Sequence, residues 1–296
     1  MLYDLCEKYD IPYRNCGKWI VAQDEAQMRA LEKVKTFAES IGVPMRFVAL
    51  EEGKRREPDV RAERGILESS STGILDSHGY MQFLQGDFEE RGGECAFNSP
   101  VTNIEALDQG RRGWKVFTGN GHGDEDSAII TADTLINSAG LAACAINNMI
   151  MPTSRHRKPF YAKGTYYSYS ASHPRPTTLV YPATTPGHGG LGTHLTLDIA
   201  GRVRFGPDVE WVDDPGDLAP NPKGFERALD DIETYLPGLR RESVGLDYCG
   251  IRPKLSRTHS AVSGDGFLDF YIEDERKGGL EGFVNLMGIE SPGKAF

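Results

Sequence analysis

The chain has 296 residues and carries 43 acidic side chains against 33 Lys and Arg, a formal net charge of −10. That balance argues against a nucleic-acid partner, whose phosphates require basic surface, but leaves room for a small anion in one cationic pocket. Five cysteines (Cys6, Cys16, Cys95, Cys144 and Cys249), scattered and without a CxxC pair, argue against a disulfide framework and a zinc site, and no apolar run is long enough to span a bilayer.

The length suits one large domain or two intimate ones. Residues 1–12 have the character of neither a signal peptide nor an Arg- and Ser-rich transit peptide. Leu2, Leu5 and Cys6, at helical spacing, predict the end of a helix. The clearest helix spans 24–41, with Asp24 as cap, Gln27 at the capping-box position and Met28, Leu31, Val34, Ala38 and Ile41 on one face; Gly42 and Pro44 end it. A second helix is predicted over 78–91, capped by Ser77, with Met81, Leu84 and Phe88 inside. Segments 101–107, 114–119 and 127–132 predict a three-stranded meander, followed at once by TLINSAG (134–140), an apolar strand running into small residues. Segments 164–170, 178–183, 191–198 and 202–207 read as antiparallel sheet, the last two joined by a hairpin turn at 199–201. The acidic, Pro-rich stretch 208–222 reads as a loop. A third helix over 223–236 places Phe225, Leu229, Ile232 and Leu236 on one face, and strands follow at 246–253, 269–274 and 282–288. Gly288 then breaks the pattern, and Ser291-Pro292-Gly293 reads as a turn or a helix opening, because Ser caps and Pro fits the first helical position. Helices between two kinds of strand group predict an α/β (α+β) chain in two interleaved domains.

The sequence holds no GxSxG elbow, HExxH or Walker A loop, and no GxGxxG after an N-terminal strand, so a metal or Ser-His-Asp reading has no positive support. In TLINSAG the small residues leave backbone amides bare for a bulky ligand; a core strand entering a tight turn has the same pattern. Arg252, between Gly and Pro after a strand (GIRP), offers a rigid fork for a carboxylate; a structural ion pair is the competing reading. His194 alternates with Leu195 and Leu197 and reads either as a base near neutral pH facing a pocket or as a solvated surface residue. Lys163 reads as a second cation or as a solvated lysine.

Taken in order, GKWIVA (17–22), the helix ending in IGVP (41–44), TGILDSHGYM (72–81), LINSAGLAA (135–143), KGTYYSY (163–169), HLTLDIAGRVRFGPD (194–208), GIRPKLS (250–256) and NLMGIESPG (285–293) resemble the FAD-dependent L-2-hydroxyglutarate dehydrogenases, part of the D-amino-acid-oxidase-like flavoprotein superfamily. The resemblance implies a Rossmann-like FAD-binding domain interleaved with an antiparallel-sheet substrate domain. Its cofactor-side segments would lie at about 76–150 and 246–296, and its substrate-side segments at about 1–75 and 151–245. It implies FAD as hydride acceptor, L-2-hydroxyglutarate as substrate, 2-oxoglutarate as product, an unidentified electron acceptor and a mitochondrial setting. Val101 matches the strand that meets the adenosine half of FAD; Ser138, Ala139 and Gly140 match the small-residue turn beside the cofactor. Gly288, Ile289, Glu290, Ser291 and Pro292 match the loop whose amides face the flavin ring. Arg252 matches the arginine that clamps the substrate carboxylate, and His194 is the candidate base. Lys163 or Arg204 would serve a second carboxylate.

The sequence departs from the family in lacking the opening strand–GxGxxG–helix, which cradles the FAD pyrophosphate, and in ending three residues after SPG. The expectation is a truncated gene product or an incomplete gene model, with weak or absent FAD binding. Two other readings stay open: a non-catalytic remnant that binds a small acid or a partner through Arg252 without flavin, and an oxidase of the D-amino-acid or glycine oxidase type.

Overall fold

The computed structural model describes residues 2–119, 128–183, 192–257 and 269–290. In chain order the first elements are α1 (Leu2–Lys8), β1 (Tyr13–Arg14), β2 (Lys18–Ala22), α2 (Glu25–Ser40), β3 (Arg46–Val48), α3 (Leu50–Arg56), β4 (Gly65–Ser69), β5 (Ile74–Leu75) and α4 (Ser77–Glu90). The meander β6 (Val101–Ala106), β7 (Trp114–Thr118) and β8 (Ala128–Ala132) follows, then β9 (Leu135–Asn137), α5 (Ala143–Ile150), β10 (Phe160–Tyr169) and β11 (Leu179–Pro182). The last elements are β12 (Leu195–Leu197), β13 (Val203–Phe205), β14 (Glu210–Val212), α6 (Phe225–Tyr235), β15 (Val244–Lys254), β16 (Tyr271–Asp274) and β17 (Phe283–Met287).

Nine strands form the largest sheet, in the order β14-β10-β13-β12-β11-β2-β4-β3, with β15 on the other edge of β10. Every pair in it is antiparallel except β11 with β2. β10 is its spine: β15 runs along one edge, while β13 and β14 share the other. The stretch 208–222 is therefore not all loop, because Glu210–Val212 pairs with Tyr161–Lys163. The main core lies on one face of this sheet, where Trp19, Val180, Leu195, Phe205 and Tyr167 pack with Leu229, Ile232 and Tyr235 of α6. The spacing of those α6 residues is the 3.6-residue period that puts one apolar stripe on one side of a helix. On the far side α2 packs Leu31 against Ala22 and Leu67. Asp24 caps α2 by accepting from the Gln27 amide at 2.8 Å, and Gln27 Oε1 accepts from the Gln23 amide at 2.7 Å.

Three smaller sheets lie outside this one among the described residues. β1 pairs β5 antiparallel, the meander pairs β6-β7-β8 antiparallel, and the third runs β16-β17-β9, with β17 and β9 parallel. Ile104, Trp114, Met151 and Phe283 bury the contact between the meander and β17. α4 departs from the sequence expectation in two ways. Asp76, not Ser77, is its cap, accepting from the His78 amide at 3.1 Å. Met81, Leu84 and Phe88 are not inside; they are 62%, 46% and 50% exposed, on a face that none of the described elements covers. No described helix is long and apolar enough to cross a membrane.

Ile232 is fully buried beneath the nine-stranded sheet. Ile232→Ala should cost about 2–5 kcal/mol by the lost burial and the cavity left behind, read as a fall in the denaturation midpoint with an unchanged m-value.

Candidate active site

Strand alternation sorts the large sheet into two faces. Tyr167, Phe205 and Leu195 stand opposite one another and point into the core. Their neighbours therefore point the other way: Tyr166, Arg204 and Thr196, and next to these His194 just before β12 and Tyr181 on β11. Arg252, opposite Ala162, belongs to this second face, as does Tyr248, which stacks on Tyr166 at 4.7 Å between ring centroids.

His194 just precedes β12 and is 6% exposed. Its ring stacks on Tyr181 with centroids 3.9 Å apart and planes 10° from parallel. Nδ1 is buried with no hydrogen-bond partner among the described residues. Burial, together with the charges of Arg252 and Lys18, pushes its pKa down to about 3. It is thus neither the solvated residue nor the near-neutral base of the sequence reading; it is a neutral imidazole held under two cations. Lys18 lies 5.1 Å from the Tyr181 ring centre.

The three candidate cations are placed differently. Arg252 is half-buried on β15 and forms no hydrogen bond or ion pair among the described residues. Arg204 is half-buried, hydrogen-bonds Asp247 and lies 5.6 Å from the Tyr248 ring centre. Lys163 points to the opposite face and is 3% exposed. Its ammonium reaches Asp217 at 2.9 Å, Glu210 at 3.1 Å and the Ala219 carbonyl at 3.1 Å. Burial opposes that charge, but the bonds to Asp217 and Glu210 outweigh it and raise the pKa. Two of its donors are hydrogen-bonded, to Asp217 and the Ala219 carbonyl, and Glu210 further meets its charge, so Lys163 ties β10 to 208–222 and faces away from Arg252.

The turn residues flagged for a cofactor form two groups. Ser138, Ala139 and Gly140 follow β9, and Gly288, Ile289 and Glu290 follow β17; because the two strands are parallel neighbours, both turns leave the sheet at the same end. Ser138, Ala139 and Gly140 are exposed. Gly140 has φ +57° and Gly288 φ +67°, the left-handed region that favours glycine; nothing lies within 4 Å of where a Gly140 Cβ would be. Glu290 pairs with Lys254 at 2.7 Å, fastening the second turn to the end of β15. The open space beside Gly140 leaves room for a flat ring system such as a flavin, a Cβ on Gly288 would meet Leu255 at 2.9 Å, and Gly250, also with nothing within 4 Å of its Cβ position, leaves room beside Arg252. Val101 opens β6 on the meander, half-buried against the Trp114 cluster. Ser291 and Pro292 lie outside the described residues.

Sequence reasoning missed Tyr181, Tyr166, Tyr248 and Lys18, which wall the face around His194 and Arg252. The signal was alternation carried across neighbouring strands once their register is known. It also missed Asn137 and Asn285, buried polar residues at the end of β9 and in the middle of β17.

The family model for FAD dependent oxidoreductases matches residues 1–296. The mitochondrial L-2-hydroxyglutarate dehydrogenase of Arabidopsis thaliana is 31% identical over 99% of this chain and 66% of its own length. Glycerol 3-phosphate dehydrogenase of Caloramator mitchellensis is 25% identical over 99% of this chain and 56% of its own. The chain thus spans about two thirds of the one and just over half of the other. Among solved structures, the dithionite-reduced L-alpha-glycerophosphate oxidase of Mycoplasma pneumoniae with FAD bound superposes with a TM-score of 0.78 over 96% of this chain and 70% of that one, at 19% identity. A likeness this distant in sequence speaks for fold, and the fold, the family model and the Arabidopsis relative agree: the chain belongs to the FAD dependent oxidoreductase family.

Proposed function

We propose that this chain carries the substrate face and the flavin-side turns of an FAD-dependent dehydrogenase that oxidises L-2-hydroxyglutarate to 2-oxoglutarate. The observation that carries this reading is Arg252, a half-buried guanidinium without a hydrogen bond or ion pair among the described residues, on the same face as a buried neutral histidine. The Arabidopsis relative supports the choice of a 2-hydroxy acid, and its mitochondrial name supports that compartment.

When bound, FAD supplies the hydride acceptor for C2 of the substrate. The remaining tasks fall to the chain's own residues. Arg252 takes the C1 carboxylate in a two-pronged, charge-assisted contact, which fixes the orientation of C2. His194 accepts the hydroxyl proton as the C2–O bond becomes a carbonyl, and the Tyr181 ring holds the imidazole flat. A base with a pKa of about 3 is a poor proton acceptor by itself. The substrate offsets part of this, because its carboxylate counters the Arg252 charge, which lowers the His194 pKa after burial, the larger cause. Substrate binding and base strength are therefore coupled, and the imidazole gains basicity when a proton is to be taken. Ser138–Gly140 and Gly288–Glu290 would hold the flavin by backbone amides, which favour negative charge developing on it. Arg204, on the same face, is the nearer candidate for a second carboxylate, in exchange for Asp247.

The test supplies FAD in excess and follows flavin absorbance anaerobically on adding L-2-hydroxyglutarate. Bleaching is expected, and Arg252→Ala should lower kcat/KM by roughly 10²–10³, the value of a lost charged bidentate contact. Binding of the acid without bleaching would favour the non-catalytic reading, and bleaching by glycine or glycerol 3-phosphate alone would overturn the substrate assignment.

The His194 environment also makes stability depend on pH. Its folded-state pKa of about 3 lies below the ordinary value of 6.5, so its contribution is complete above pH 6.5. As pH falls from 6.5 toward 3, the unfolded chain takes up a proton that the native chain refuses, and stability drops. Ring-proton NMR should find one histidine, absent in His194→Gln, that does not titrate between pH 4 and 8 in the free protein, with its pKa rising when 2-oxoglutarate is added. A free-protein pKa near 6.5 would contradict the buried placement.

A further inference from the structure

One buried polar cluster is unused by the proposed chemistry. Asn137 closes β9 and Asn285 lies directly opposite it on β17. They are 3% and 0% exposed. Asn137 Nδ2 donates to Asn285 Oδ1 at 2.8 Å and to the Ala143 carbonyl at 2.8 Å. Its Oδ1 accepts from the Ala139 amide at 3.4 Å, inside the first turn. Asn285 Nδ2 donates to Asn147 Oδ1 on α5 at 2.7 Å and to Glu275 Oε1 at 3.2 Å. Glu275 is 1% exposed, and its carboxylate also accepts from Arg155 at 2.5 Å and from the Tyr271 hydroxyl at 3.0 Å.

A buried amide is costly unless its donors and acceptor are used, and here they are, so the cluster fixes one arrangement. Backbone pairing of two parallel strands holds them side by side but stops at their ends. Beyond Asn137 and Met287 the chain must be held by other means. The side chain of Asn137 reaches forward to the turn at Ala139 and sideways to Asn285, three residues before Gly288. Apolar residues at these two places would satisfy the core equally well but leave both turns untied.

We propose that Asn137 and Asn285 are positioning residues: their paired amides, anchored through Asn147 and the Glu275–Arg155 pair, hold the turns 138–140 and 288–290 in fixed register. This rests on the reading that both turns face the flavin, but the register itself can be measured without flavin. Asn285→Asp keeps the shape and the acceptor for Asn137 but sets a carboxylate against Asn147 Oδ1 and Glu275. Adding Glu275→Gln removes the second negative charge and provides an amide donor, so the double variant should recover what the single one loses.

Amide hydrogen exchange is measured on the flavin-free protein. The Ala139 amide, bonded to Asn137 Oδ1, and the amides of the β9–β17 ladder should exchange roughly ten- to thirtyfold faster in Asn285→Asp, and return toward the wild-type rate in Asn285→Asp/Glu275→Gln, with the β10–β15 ladder unchanged. If Asn285→Asp does not fold, Asn137→Ala decides, since it deletes the link between the turns together with the bond to the Ala143 carbonyl. Wild-type exchange at Ala139 and along the β9–β17 ladder in Asn137→Ala, or faster exchange spread evenly over all sheets, would overturn the proposal. Failure of the wild-type chain to bind FAD would instead count against the functional reading and leave the exchange result standing.

Discussion

A β-strand can show only every second side chain to one side, and the site depends on how β10 and its neighbours use that rule. Tyr167, Phe205 and Leu195 take the inward positions and are sealed by α6. The alternate positions are thereby committed to the other face, and they hold Tyr166, Arg204, Thr196 and His194. Register does the rest: β15 pairs along the whole of β10 and brings Arg252 onto the same surface from a distant part of the sequence. A slip of one residue in that pairing would send Arg252 into the core and a core residue out to the pocket. The packing of the core and the chemistry of the face are therefore one constraint.

The electrostatics of the two faces differ for a physical reason. Behind the sheet, buried charges are neutralised where they stand. Lys163 meets Asp217 and Glu210, and Glu68 meets Arg56 at 2.5 Å and Arg46 at 2.7 Å. In front of the sheet Arg252 has no such partner among the described residues, and His194 is kept neutral partly by that charge. An unopposed, half-buried cation is unfavourable in the empty protein and becomes favourable only when an anion arrives. The same anion relieves the Arg252 share of the His194 pKa depression, while burial keeps the larger share. Affinity for a carboxylate and readiness to accept a proton then share one origin.

Much of this arrangement was legible in the sequence. The alternation in 194–198 and 202–205, the Gly-Arg-Pro after a strand, and the small residues after TLIN each mark a local feature that local physics dictates. What was not legible came from partners distant in sequence. Lys163 looked like any lysine near a strand until Asp217, 54 residues on, closed around it. His194 looked half-solvated because alternation assigns a face but does not say that Tyr181 will cover it. Asn137 and Asn285, 148 residues apart, each looked like a polar interruption in an apolar strand, and only their pairing gives them a purpose. The expectation that Met81, Leu84 and Phe88 lie inside failed for a related reason: helical period shows which residues share a face, not whether anything covers it.

The central claim is that Arg252 is the carboxylate receptor of this face. Titration calorimetry of 2-oxoglutarate into the flavin-free protein tests it without any catalytic step. The account predicts one saturable site per chain in the wild type and in Arg204→Gln at reduced affinity, and no detectable site in Arg252→Met. Equal binding by the wild type and Arg252→Met would contradict it, because the anion would then be held elsewhere on the molecule.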